Sequence, residues 1–129
     1  MLKINSGSAV PVYEQLKRQI KLGIVSGEYP RNHRMPSIRQ LASQLTINPN
    51  TIAKVYRQLE NEKFLHSKTG SGYFVQFEKE HLGKIRAILL AEMVDEFVCR
   101  VVEAGFSTQE LMNAMSEMLE RNQTDDKIK

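Results

Sequence analysis

The chain has 129 residues, of which 41% are hydrophobic and 26% charged. That is the balance of a soluble globular protein, not of a disordered one, and no apolar run approaches the roughly 20 residues that a membrane helix needs. The net charge of +3 hides a division, because residues 1–79 carry 12 Lys/Arg against 5 Asp/Glu, or +7, while residues 80–129 carry 6 against 10, or −4. The first part suits a polyanion, since each neutralised phosphate releases condensed counterions, and the second does not. Lys3 is followed by no continuous apolar segment, so a secretory signal is not expected. Cys99, the single cysteine, excludes an internal disulfide and suits a reducing cytoplasm; its ordinary reading is a small buried hydrophobe.

Residues 1–10 contain Ser6, Gly7 and Ser8 and read as a mobile lead-in. From Pro11, which is suited to a first helical turn, Tyr13, Leu16, Ile20 and Ile24 recur at helical spacing and predict a helix over 11–26, with Gly27 as its stop. Lys17, Arg18 and Lys21 lie off that stripe. Residues 28–36, with Pro30 and Pro36, read as a loop. Ser37 then begins a second helix, with Gln40 completing a capping box and Ile38, Leu41, Ala42 and Leu45 forming the apolar face. Residues 46–49 interrupt it. A third helix opens with Asn48 as cap, Pro49 in the first position, and Ile47 and Ile52 as a hydrophobic staple. Its inner stripe is Ile52, Val55, Tyr56 and Leu59, and Asn50, Lys54, Arg57 and Gln58 share the other face.

Two strands are predicted at 64–68 and 72–77, with Gly70 and Gly72 at the turn and Tyr73, Val75 and Phe77 alternating inward. A long helix over 80–104 follows, with Leu82, Ile85, Leu89 and Met93 in one stripe. Ile88, Val94, Val98, Val101 and Val102 widen it beyond what one neighbouring helix would cover. Gly105 ends it. Ser107 and Glu110 form a second capping box ahead of a last helix with Leu111, Met112, Met115, Met118 and Leu119 on one side. The tail from Asn122 to Lys129 is polar and reads as frayed.

Two short helices followed by a glycine-punctuated hairpin are the order of a winged helix-turn-helix. Reading a major groove requires short polar and cationic side chains near the start of the inserted helix. Asn50, Thr51 and Lys54 meet that need, with Arg57 beside them, while Asn48 caps first and contacts DNA second. Arg39, early on helix 2, suits a phosphate, and Ser37 is a cap whose hydroxyl also reaches toward one. Lys68, Thr69, Gly70 and Ser71 with Gly72 make the wing tip. A solvated helix face and ordinary turn glycines are the alternative reading of these residues. Catalysis finds no support: His33, His66 and His81 are scattered without metal-ligand spacing, and Gly-x-Gly without a strand-to-helix context is no phosphate loop. No cofactor or metal is expected.

Pro36-Ser37-Ile38-Arg39-Gln40-Leu41-Ala42, Asn48-Pro49-Asn50-Thr51, Val55-Tyr56, Leu59-Glu60 and Gly70-Ser71-Gly72-Tyr73 together resemble the GntR family of bacterial transcription regulators, and the short C-terminal extension resembles its YtrA subfamily. Met35 replaces the family's usual leucine, and Pro49 stands where many other branches carry an arginine. The resemblance implies a mainly α fold with a small β-wing: a winged helix-turn-helix DNA-binding domain at 1–78, then a helical dimerisation unit with a polar tail at 79–129. It also implies a cytoplasmic, dimeric repressor that binds a palindromic operator, with DNA contacts at Arg39, Asn50, Thr51, Lys54 and the wing around Gly70. The wide apolar arc of the fourth helix and the apolar side of the last place the dimer interface at Ile85, Ile88, Leu89, Met93, Phe97, Val101, Met112, Met115 and Leu119. A small-molecule effector beside the Met-rich helix is left open, and a protein-interaction module without sequence-specific DNA binding is the alternative function.

Overall fold

The computed structural model of the chain describes residues 2–128, with side chains through residue 123. The elements run α1 (Val12–Ser26), α2 (Ile38–Leu45), α3 (Pro49–Asn61), β1 (Leu65–Lys68), β2 (Gly72–Val75), α4 (Lys79–Glu103) and α5 (Thr108–Ile128). The chain divides into two units whose boundary falls inside α4, between Ala87 and Ile88. Among the described residues no helix is long and apolar enough to cross a membrane.

Local chemistry accounts for each helix of the first unit, the head. Pro11 precedes α1 and its carbonyl accepts from Gln15 N at 3.0 Å. Leu16, Ile20 and Ile24 turn inward at the predicted spacing, and Gly27, at φ 87°, ends the helix. Gly23 is glycine for a different reason. The Tyr29 ring lies 2.3 Å from where its Cβ would be, so the ring packs this close to the helix only without a side chain there. At α2 the capping box forms in full: Ser37 Oγ accepts from Gln40 N at 3.1 Å, and Gln40 Oε1 accepts from Ser37 N at 3.0 Å. At α3 the Asn48 carboxamide accepts from Asn50 N at 2.8 Å, and Pro49 holds the first position.

Ile52, Val55, Tyr56 and Leu59 of α3 meet Leu16, Ile20, Leu41, Phe64, Leu65 and Val75 in one core. Each large side chain removed from water there stabilises the head by about 1.5–3 kcal/mol before entropy is counted. The hairpin is antiparallel, with Leu65 opposite Val75 and Lys68 opposite Gly72. It closes the core beside α3, and Ser67 N and Oγ donate to Glu60 Oε2 at 2.8 and 2.7 Å, strapping β1 to the helix.

Three expectations change. Residues 28–36 are not simply a loop, because Arg34 bridges to Phe74, and Met35 N donates to Tyr73 O while Val75 N donates to His33 O, each at 2.9 Å. A single-residue rung has no alternation by which to be recognised in sequence. Residues 2–10 are not a free lead-in either. Leu2 and Ile4 pack against the core, Gln15 Oε1 accepts from Asn5 N at 2.9 Å, and the Gln19 carboxamide bonds both backbone groups of Lys3. The last helix runs to Ile128 where fraying from Asn122 was expected; Lys129 lies outside the described residues.

The first turns of α4 belong to the head. Leu82 and Ile85 pack against its core, His81 Nε2 lies 3.2 Å from Glu62 O, and Arg86 Nη1 donates to Val25 O at 2.8 Å. In the second unit Gly105, at φ 95°, breaks the chain between α4 and α5, and Ser107 Oγ accepts from Glu110 N at 3.1 Å at the new start. Leu89 is the one residue of α4 that is buried, and no described residue of α5 is.

Candidate nucleic-acid interface

The polar face of α3 is built by the same periodicity that buries its inner stripe. Asn50, Lys54 and Arg57 are exposed and Thr51 is half-buried. Asn48 spends its side-chain oxygen on the cap, which leaves its amide as the group free to face a ligand. Gln58 does not share the open face as expected. It accepts from Lys17 Nζ at 3.2 Å and so ties α3 to α1. Lys54 is also positioned, its ammonium lying 4.9 Å from the centre of the Tyr13 ring. A cation held over an aromatic face keeps its outward N–H groups available while losing some of its freedom. That pairing spans 41 residues and has no local signature.

Helix α2 and the wing flank this face. Arg39 is exposed one residue inside the start of α2, and Ser37 is exposed with its hydroxyl committed to the cap. The start of α2 is clamped from the core, because the Tyr56 hydroxyl donates to Pro36 O at 2.7 Å. Burial pushes that phenol well above its ordinary range, so it stays a donor at every physiological pH. Lys68, Thr69, Gly70 and Ser71 form an exposed turn closed by Ser71 N to Lys68 O at 2.9 Å. Gly70 has φ 76° and Gly72 φ 104°, the conformations for which glycine is suited. Lys68 Nζ sits 4.7 Å from the centre of the Phe74 ring.

The residues expected at the dimer interface divide. Ile88, Met93, Phe97, Met112, Met115 and Leu119 are exposed large hydrophobics, and Val101 is half-buried. Ile85 packs against the head core and Leu89 is buried within the single chain, so these two are committed before any partner arrives. Cys99 is exposed, contrary to its expected burial; its Sγ lies 3.9 Å from Asp95 Oδ1. Among the described residues no group of three or more His, Cys, Asp or Glu could hold a metal ion.

A capped cationic helix, a crossing helix with an exposed arginine and a glycine-hinged hairpin on one small core define a winged helix-turn-helix protein. Residues 12–75 match the family model described as bacterial regulatory proteins, gntR family. The chain is 29% identical over 119 residues to the transcriptional repressor YtrA of Bacillus subtilis, covering 92% of each chain. It is 30% identical over 102 residues to the transcriptional regulator Rv1152 of Mycobacterium tuberculosis, covering 70% of this chain and 84% of that one. It is also similar to the crystal structure of AraR(DBD) in complex with operator ORR3, with a TM-score of 0.51 and 29% identity over 57% of this chain and 88% of that one. The chain belongs to the GntR family, and it is a DNA-binding transcriptional regulator of the YtrA-like type.

Proposed function

We propose that the chain is a dimeric repressor, in which residues 1–78 bind a palindromic operator and residues 79–129 join two copies. The observation that carries the DNA half is the exposed Asn50–Lys54–Arg57 face of α3, flanked by Arg39 and by the Lys68–Ser71 turn, within residues 1–79 of net charge +7. In this reading Asn50 and Thr51 meet base edges, where an asparagine carboxamide pairs with adenine and a threonine methyl with thymine. Lys54 and Arg57 take phosphate or guanine, and Ser37, Arg39, Lys68, Thr69, Gly70 and Ser71 take the backbone. Asn48 acts by holding the end of α3 in place.

The dimer half rests on the second unit. Met112, Met115, Met118 and Leu119 of α5 are exposed, and apolar surface left open on that scale marks an interaction site. A second copy supplies the same face under two-fold symmetry, and two recognition helices then enter grooves about 10 bp apart or a multiple of that. Repression follows where such a site overlaps a promoter.

Fluorescence anisotropy at two salt concentrations tests the reading, with duplex DNA from upstream of the chain's own gene and a scrambled duplex as control. The expected result is binding to the native duplex about a thousandfold or more tighter than to the control. Equal binding to both would overturn sequence specificity, and binding to neither would turn the search toward a protein partner.

A further inference from the structure

Arg34 is absent from the set of DNA contacts read from sequence, because it falls in a segment that looks like a loop. In the structure it is the residue of that segment that pairs with β2, directly opposite Phe74. The flanking bonds, Val75 N to His33 O and Met35 N to Tyr73 O, hold that register. Side chains alternate across a sheet, and Met35, Leu65 and Val75 are buried. Arg34, Phe74 and His66 therefore share the outer face as one rung, and Gly72 and Lys68 make the next.

That face is cationic and arranged around one ring. Lys68 Nζ is 4.7 Å and the His66 ring 5.8 Å from the centre of Phe74. A Cβ at Gly72 would come within 3.8 Å of Arg34 Nε, so the arginine extends over the space that this glycine leaves open, toward the wing turn. Along the chain Arg34 stands three residues before Ser37, the cap of α2. It thus stands on the segment that leads into α2 and beside the base of the wing. It is exposed, and among the described residues its guanidinium makes no hydrogen bond or ion pair. Arg31 is different: its Nη2 donates to Phe77 O at 3.0 Å and its guanidinium stacks 4.6 Å from the Phe77 ring.

We propose that Arg34 is a DNA phosphate-binding residue, which with Lys68 links the backbone contacts of α2 to those of the wing in one continuous track. This rests on the DNA-binding reading above and adds a contact that it did not contain. A guanidinium forks onto two phosphate oxygens, and a backbone contact carries no sequence information. Losing it therefore weakens binding to every duplex alike.

The test uses the full chain, the tightest duplex it selects from a random library, and a scrambled duplex, with affinity followed against potassium chloride concentration. Arg34→Ala is expected to lower the slope of log K against log salt by about one and to weaken both duplexes by the same factor. Arg34→Lys keeps the slope and serves as the readable variant if the alanine form does not fold, which its melting curve reports. Arg31→Ala, whose guanidinium is held against Phe77, leaves the slope unchanged. An unchanged slope for Arg34→Ala, or an equal loss for Arg31→Ala, overturns the proposal while the wild-type binding leaves the DNA reading standing. A wild-type chain that binds neither duplex overturns both.

Discussion

The head and the helices beyond residue 87 carry the same kind of pattern and meet different fates. Leu16, Ile20 and Ile24 of α1 and Leu111, Met115 and Met118 of α5 are both apolar series at helical spacing. In α1 the series is buried, Leu16 and Ile20 completely, because α3 and its neighbours lie within the same hundred residues of chain. In α5 Met115 and Met118 stay 39% and 58% exposed. Periodicity therefore tells that a helix has an apolar side, but not whether the partner of that side belongs to the same chain. The head completes its own core, and Met112, Met115, Met118 and Leu119 of α5 stay outside one.

The strongest way to break this contrast is through Tyr56, which is fully buried and bonded to Pro36 O. Tyr56→Ala should cost the head about 3–5 kcal/mol in a denaturant titration, the usual range for emptying an aromatic site. Tyr56→Phe keeps the ring and removes only the hydroxyl's bond, for about 1 kcal/mol. A loss below that in the alanine variant would mean that the head does not fold as a unit around α3. The second test addresses the other region. Phe97 is 49% exposed on α4, and an aromatic anchor in an interface is worth about 2 kcal/mol or more, roughly a 30-fold change in dissociation constant. Phe97→Asp should shift sedimentation equilibrium toward monomer and leave the melting of the head unchanged. Leu89→Asp is the poorer probe, since Leu89 is buried within the single chain and its replacement disturbs that packing too. An undisturbed dimer in Phe97→Asp would show that the exposed face of α4 is not where copies meet.

What was legible in the sequence is what is decided within a turn or two of chain. Ser37 with Gln40, Asn48 with Pro49 and the αL glycines are local devices, and each sits in the structure where its spacing placed it. The groups that position the interface are not local. Tyr13 under Lys54, Lys17 on Gln58 and Arg34 across from Phe74 join residues about forty apart, and no pattern on either member predicts the other. The lead-in misled for a related reason. Its own residues read as loop, and what holds it is a pair of glutamine side chains on α1. A smaller prediction sharpens the point about local devices. Ser37→Ala should cost about 1 kcal/mol by thermal melting, within the range for a lost N-cap, and Thr at the same position should restore most of it. No loss on alanine substitution would show that the clamp from Tyr56, not the cap, sets the start of α2.

The smallest expected effect separates the two regions electrostatically. Glu62, at the end of α3, faces Lys17 Nζ at 2.7 Å and Lys21 Nζ at 3.0 Å. Burial pushes its carboxyl upward, but the hydrogen bonds and charges of the two ammoniums outweigh that and hold it below its ordinary value. A carboxyl depressed in the folded state contributes stability that is present above its unfolded value, near 4.3, and is lost as pH falls through the folded one. Its side chain is 38% exposed, so water screens the pairs and the contribution is about 1 kcal/mol or less. Glu62→Gln should therefore lower stability slightly at pH 6, and the difference from wild type should close as both are titrated to pH 3. In the C-terminal unit Arg121 and Glu117 are 3.9 Å apart and both more than two-thirds exposed, so Glu117→Gln should leave the same curve unmoved. A gap between Glu62→Gln and wild type that persists to pH 3 would mean that Glu62 acts through packing against α1, and that charge does not distinguish the two regions.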